Sequence, residues 1–327
     1  MSKSNKVLIT GISGWIGQFC AAELLKNGYT VIGSLRDMNR KSEIKDALKD
    51  FIQDENQLSF CKLDLLHDEG WIDAVKGCRY VMHVASPFIM EEPKDPNDLI
   101  KPAREGTLRV LKFAKEAKVQ RVVITSSIAA MFSHMKDGKF DTNTWTNLNS
   151  KQPNSYQRSK TIAEKAAWEF FHNQKGDHKL EMAVVNPGGV LGPTLSPDLD
   201  GVSLRICVEM ITGKMPGVPN LNVVMVDVRD VAEHHFKAMI SKDANGKRFI
   251  SAHAQPRSFF EVSSILRQNG FKKAPSRKIP TFLLKIMSLF DREARGMVSF
   301  VDTSISCDNS RTVTMFNWKP IPLEKTV

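Results

Sequence analysis

Two kinds of apolar pattern alternate along the first half of the chain. Short continuous runs, such as Val7-Leu8-Ile9 and Val122-Val123-Ile124, fit strands buried on both faces. Between them, apolar residues recur every three or four positions, the spacing of one helix face. Strands are predicted at residues 6–10, 30–35, 57–61, 80–84, 121–125 and 180–185. Helices are predicted at 16–27, closed by Gly28, from Pro96 to Ala117, and at 156–171. Buried strands alternating with helices imply an α/β fold of Rossmann type, a doubly wound parallel sheet with ligands at the carboxyl ends of its strands. Past Pro187 the pattern is broken by Pro and Gly; a short strand at 222–226, a helix at 227–240 and a strand at 248–251 follow. The expected organisation is a nucleotide-binding domain over 1–190, to which 222–252 returns, and a smaller C-terminal substrate lobe built from 191–221 and 253–327.

With 327 residues, 42% hydrophobic and 25% charged, the chain has ample material for a globular core. The formal charge is +10, but Lys and Arg are scattered rather than blocked with aromatics. That distribution argues against nucleic acid and suits a phosphate-bearing ligand. Five cysteines form no CxxC pair, so free thiols in a reducing compartment are expected. The chain passes from its first residues straight into a strand, with no signal-peptide pattern, and a cytoplasmic protein is expected. The longest apolar stretch, 279–290, is too short to span a bilayer, so no membrane partner is expected. It reads as a core-facing helix of the second lobe; Arg277 and Lys278 beside it leave an interfacial helix as the alternative. His134, His234 and His235 have no acidic or cysteine partner at ligand spacing, so they read as ordinary histidines and no metal is expected.

Chemistry enters with the loop after the first strand, Thr10-Gly11-Ile12-Ser13-Gly14-Trp15-Ile16-Gly17. Gly11 permits a tight turn, Gly14 lets backbone approach a pyrophosphate, and Gly17 lets helix and strand pack closely. Gly11, Ser13, Gly14, Trp15 and Ile16 are therefore expected to contact a dinucleotide at the helix N-terminus. After the second strand, Leu35 stands where a ribose-binding acid would be expected, and Arg36, with Lys41 nearby, offers cations for a 2′-phosphate. This predicts NADP(H) rather than NAD(H); Asp37, one residue late, is read as a turn or cap residue. Asp64 and Leu65, after the third strand, could reach the adenine, or Asp64 could cap a helix.

Tyr156 and Lys160 lie one helical turn apart, on one face. A nearby ammonium should lower the tyrosine pKa, so that Tyr156 can act as general acid or base on a carbonyl oxygen. Lys160 can also hold the nicotinamide ribose. A serine of Thr125-Ser126-Ser127, at the end of the fifth strand, would orient the substrate oxygen.

The order Thr-Gly-x-x-Gly-x-x-Gly, Thr-Ser-Ser and Tyr-x-x-x-Lys resembles the extended short-chain dehydrogenase/reductases. It is closer to their dihydroflavonol 4-reductase-like branch, which includes NADPH-dependent aldehyde and methylglyoxal reductases. Val84-Ala85-Ser86-Pro87-Phe88, Glu105-Gly106-Thr107-Leu108, Asn186-Pro187-Gly188-Gly189-Val190-Leu191-Gly192-Pro193 and Val226-Asp227-Val228-Arg229-Asp230-Val231-Ala232 add to the resemblance, which spans about residues 6 to 252. It implies Ser127 as the catalytic serine, with Ser126 as runner-up. It also implies Arg36 and Lys41 near the 2′-phosphate, Val84, Ala85 and Ser86 along the cofactor, and Pro187 and Val190 beside the nicotinamide. Phe132 replaces an asparagine typical of the flavonoid reductases, which points to smaller carbonyl substrates, and Arg109 also replaces a common asparagine. Phe88 and Phe132 could line an apolar substrate pocket or belong to the core.

The expected activity is NADPH-dependent reduction of a small aldehyde or ketone by a monomer or homodimer. A nucleotide-sugar epimerase or dehydratase is the alternative. The dehydratases carry an Asp-Glu pair after the fifth strand, where this chain has Ile128-Ala129-Ala130-Met131. A non-catalytic NADP-binding protein is a third reading, and such proteins commonly lose the tyrosine or lysine kept here.

Overall fold

The computed structural model describes residues 4–87, 92–132, 137–197, 202–290, 298 and 301–327. Its first strands are Lys6–Thr10 (β1), Thr30–Leu35 (β2), Leu58–Lys62 (β3), Tyr80–His83 (β4), Arg121–Thr125 (β5), Asp137–Phe140 (β6) and Glu181–Pro187 (β7). Gly189–Leu191 (β8), Val218–Pro219 (β9), Asn222–Val223 (β10), Met225–Asp227 (β11), Lys247–Ser251 (β12), Arg257–Ser258 (β13), Lys278–Ile279 (β14) and Ser304–Cys307 (β15) follow. The helices include Trp15–Lys26 (α1), Lys41–Leu48 (α2), Trp71–Val75 (α3), Asn97–Glu116 (α4), Ser155–His172 (α5), Val202–Thr212 (α6), Val228–Ile240 (α7), Phe259–Gln268 (α8) and Thr281–Met287 (α9).

One seven-stranded sheet, in the order β12-β7-β5-β4-β1-β2-β3, organises the molecule. Every pairing within it is parallel. The chain winds outward from β1 to β3, then restarts at β4 on the other side of β1. That reversal opens a crevice at the carboxyl edge between β1 and β4. Alternate residues of each strand feed opposite cores, as a two-residue period requires. Val7 and Ile9 join a layer with Phe19, Leu24, Val231 and Phe249, under α1 and α7. Leu8 joins the other layer with Trp71, Val110, Leu111 and Ala167, under α3, α4 and α5.

Polar side chains also fix the layers. Arg121 of β5 is buried and donates through Nη1 to the carbonyls of Ala238 and Met239, at the C-terminal end of α7. Its Nε donates to Glu181 at 2.8 Å. A guanidinium at a helix C-terminus meets both the unpaired carbonyls and the negative end of the dipole. His234 and His235 are core residues, joined to Ser251 at 2.8 Å and Thr125 at 2.7 Å. Burial holds them neutral, down to about 3 and about 4.

The sequence-predicted elements recur with ends moved by a residue or two. The strand expected over 222–226 is broken at Val224, because its halves have different partners. β10 pairs antiparallel with β13, whereas β11 pairs parallel with β8. The pattern did not predict α2 and α3, short helices with few buried residues each. Leu191, Ile206, Met210, Val218, Leu221, Phe259 and Val262 form a separate apolar cluster. Phe316 and Trp318, from the segment expected in the second lobe, instead pack into the sheet-side core.

The expectation of a core-facing helix near 279–290 is corrected. Within α9 only Leu284 is buried. Phe282 is 66% and Ile286 51% exposed. Apolar residues surround most of this helix, and its neighbours cover only one row of them.

Replacing Phe249, fully buried and stacked 4.5 Å from Phe316, with Ala should lower stability by about 3–5 kcal/mol. The exposed Phe282→Ala should change it by less than about 0.5 kcal/mol. Urea unfolding of both variants checks the contrast.

Candidate active site

The crevice is lined first by the glycine loop. Gly11 has φ +71°, in the left-handed region that favours glycine, and a Cβ there would lie 2.8 Å from the Ala85 Cα. A Cβ on Gly17 would lie 2.2 Å from the Gly11 carbonyl oxygen, so α1 packs against the loop only because both residues lack side chains. Gly14 differs: it is exposed, and no side chain caps the N-terminus of α1 that it opens. Unpaired N–H groups at a bare helix start suit a pyrophosphate. Ser13, Trp15 and Ile16 are half-buried around it, with the Trp15 indole donating to the Pro193 carbonyl at 2.7 Å.

Leu35 is buried at the end of β2, and Arg36 and Lys41 are exposed just beyond it. Asp37 accepts from the Asn39 N–H at 3.0 Å, capping a short turn as expected. Arg40, missed by the sequence reading, pairs with Glu43. The Asp64 carboxylate accepts from the Leu66 N–H at 2.7 Å, a turn contact, while the Leu65 side chain packs on Gly106. Arg109 reaches the same turn, 2.5 Å from Asp68 and bonded to the Leu65 carbonyl. Its place in the fold is therefore to pin the segment after β3.

Val84, Ala85 and Ser86 follow β4, half-buried, with the Ala85 N–H donating to the Thr10 carbonyl at 3.1 Å. Pro187 is buried at the end of β7, and Val190 is half-buried in β8. Phe132 is buried and stacked 5.1 Å from Phe140, in a cluster with Ile128 and Met131. That packing is the core member of its two readings. Phe88 and His134 lie outside the described residues.

Tyr156 sits in the first turn of α5, which starts with a capping box. Asn154 accepts from the Gln157 N–H at 2.8 Å, and Gln157 accepts from the Asn154 N–H at 3.1 Å. The Ser127 Oγ accepts from the Ala129 N–H at 3.1 Å and shares a hydrogen bond with the Tyr156 side chain. The neighbouring Ser126 faces away: its hydroxyl donates to Glu164 at 2.5 Å. Lys160 is buried, with Nζ 6.0 Å from the Tyr156 ring centre.

The expected acidification of Tyr156 is not the dominant effect. Burial pushes its phenol up to about 12, and the Ser127 hydrogen bond opposes this only in part. Burial brings Lys160 down to about 8, against the attraction of Glu164. Desolvation outweighs the expected pull of Lys160 on the phenol.

Sequence reasoning missed the group beneath this triad. Glu164, another turn along α5, is buried. Its Oε1 accepts from Arg248 at 2.6 Å and Trp168 at 3.1 Å. Its Oε2 accepts from Ser126 at 2.5 Å and Asn186 at 2.8 Å. Asn186 also donates to the Ser127 carbonyl at 3.2 Å. Arg248 donates to the Thr142 and Thr144 carbonyls and lies 3.9 Å over the Trp145 ring, fixing the segment before α5. The four-residue step from Lys160 to Glu164 was visible in the sequence, but its partners lie far apart along the chain. Buried His83 was missed too; its Nδ1 lies 2.8 Å from the Thr10 hydroxyl, and burial and Lys160 bring it down to about 3. Among the described residues no group of three or more His, Cys, Asp or Glu could hold a metal ion.

Arg248→Met leaves the Glu164 carboxylate buried without its cation. The expected loss is about 3–5 kcal/mol of stability, read from denaturant unfolding. A loss below about 1 kcal/mol would show that the pair does not hold the site together.

The family model described as "NAD dependent epimerase/dehydratase family" matches residues 7–250. Cinnamoyl-CoA reductase 1 of Arabidopsis thaliana is 35% identical over 280 residues, covering 84% of this chain and 76% of that protein. The NADPH-dependent methylglyoxal reductase GRE2 of Saccharomyces cerevisiae is 32% identical over 275 residues, covering 76% of this chain and 78% of that protein. The crystal structure of yeast methylglyoxal/isovaleraldehyde reductase Gre2 complexed with NADPH superposes with a TM-score of 0.79 at 28% identity, covering 98% of this chain and 95% of that one. With its glycine loop, parallel sheet and Ser127, Tyr156 and Lys160 at one edge, the chain belongs to the NAD dependent epimerase/dehydratase family, the extended short-chain dehydrogenase/reductases.

Proposed function

We propose that the protein is an NADPH-dependent reductase that converts a small aldehyde or ketone into an alcohol. The observation that carries this reading is the meeting of Ser127, Tyr156 and Lys160 beside the glycine loop. The names of the relatives support it, since one is a cinnamoyl-CoA reductase and another an NADPH-dependent methylglyoxal reductase. Leu35 and Arg36 support the phosphorylated dinucleotide, because β2 ends on an apolar residue followed by an exposed cation rather than on a carboxylate. The buried run Ile128-Ala129-Ala130-Met131 supplies no acid for dehydratase chemistry. The segments 191–221 and 253–327 are read as contributing the substrate side.

NADPH, when bound, supplies the hydride to the carbonyl carbon. The protein's residues handle the oxygen. Ser127 accepts from the Ala129 N–H and shares a hydrogen bond with the Tyr156 side chain, so the two hydroxyls converge where a substrate carbonyl oxygen would be held. Tyr156 donates its proton to that oxygen as it gains charge. A phenol pushed up to about 12 is fully protonated at neutral pH, as a general acid must be. The Lys160 ammonium matters when the phenolate forms: it offsets the new negative charge rather than acidifying the resting phenol. Glu164, through Asn186, holds the backbone on which Ser127 stands.

The test is NADPH oxidation, with NADH in parallel, by the purified protein on a panel of aldehydes, diketones, flavanones and keto esters. Turnover is expected with NADPH and small carbonyls. Tyr156→Phe should lower kcat by about 100-fold or more while leaving NADPH affinity within a few-fold. A variant that keeps its rate would remove Tyr156 from the chemistry.

Lys160 also sets a pH dependence. Below about 8 it is charged, and above that value it is neutral, while Tyr156 keeps its proton up to about 12. Reductive kcat should therefore fall as pH rises through about 8. A kcat profile flat across that range would show that the ammonium is not needed.

A further inference from the structure

The exposed face of α9 finds no use in the proposed reduction. At about 100° per residue, Phe282, Leu283, Ile286 and Met287 span an arc of about 140°. All four are exposed, while Leu284 points inward. Phe290, just past the helix, is 87% exposed. Lys285 borders this arc and is exposed as well.

The charge around α9 is mainly basic, although Asp302 accepts from the Thr281 hydroxyl at the start of the helix at 3.0 Å. Residues 262–290 contain Arg267, Lys272, Lys273, Arg277, Lys278 and Lys285, and no Asp or Glu. All six basic residues are exposed. Lys214 lines the apolar cleft under α9 with Leu284 and Met287, and Lys278 lies 5.5 Å over the Phe260 ring. Glu209 lines the same cleft, 3.8 Å from Arg205. An apolar stripe edged by lysines is the composition of a helix lying in a lipid headgroup layer. A two-fold pairing of this face with a second copy would set like charges near one another. An anionic lipid surface instead meets the lysines with opposite charge and takes the apolar side chains out of water.

We propose that α9 and its flanking lysines dock the protein on an anionic membrane surface, with Phe282, Ile286 and Phe290 entering the acyl boundary. The protein lies on the bilayer by this face; among the described residues no helix is long and apolar enough to cross it. This goes beyond the reductase reading and does not depend on it.

Flotation of the full-length protein with vesicles tests it. One set is phosphatidylcholine alone, and in the other phosphatidylserine replaces part of it. The protein should float with the phosphatidylserine vesicles, remain free with phosphatidylcholine, and be released by high salt. The variant Phe282→Ser with Phe290→Ser should lose flotation while keeping its circular dichroism and melting temperature. Lys278→Gln with Lys285→Gln should weaken binding by about fivefold per charge removed. Equal binding to both vesicle sets, or to neither, would overturn the proposal. A dimer seen by light scattering that dissociates in the Phe282→Ser and Phe290→Ser variant, without vesicle binding, would assign the face to a second copy.

Discussion

A carboxylate taken out of water must be met by donors, and Glu164 is met by four. They come from the residue after β5, from β7, from β12 and from α5 itself: Ser126, Asn186, Arg248 and Trp168. An ionised carboxylate only accepts hydrogen bonds, so all four can be satisfied at once. Three neighbouring strands and the helix across them are thereby locked in one arrangement. Ser127 and Tyr156 are placed by the same lock, one through its carbonyl bond to Asn186 and the other through its position two turns back along α5. Buried polar networks of this kind do little for net stability but strongly specify geometry.

The parallel sheet does the rest of the positioning. Its strands end at one edge, so the glycine loop, Arg36, Ala85, Ser127 and Pro187 arrive together although they are far apart in the chain. Burial then sets the proton inventory. It leaves Tyr156 a firm proton holder and makes Lys160 the group that titrates near neutral pH.

The second apolar cluster follows looser rules. Its strands are two or three residues long, and α9, which lines the cleft beside it, has no side-chain cap. A cluster with this little regular structure can vary its surface without disturbing the sheet. The exposed apolar and basic face near α9 is a feature of that kind.

The sequence by itself determined the sheet, its winding, the glycine loop and the Tyr156–Lys160 pair. These depend on local periodicity and on spacings of a few residues, which a chain carries openly. Gly11 and Gly17 were legible because only glycine tolerates a backbone oxygen or Cα so close. The choice of Ser127 over Ser126 was not legible: adjacent residues on an extended chain point opposite ways, and only the position of Glu164 decides which one faces Tyr156. The Glu164 network escaped because Asn186 and Arg248 meet it across 22 and 84 residues of chain. The tyrosine pKa went the other way from the sequence expectation because burial is a property of the packed state. The α9 face did too: a periodic pattern reveals that a stripe is apolar, but only tertiary packing decides whether anything covers it.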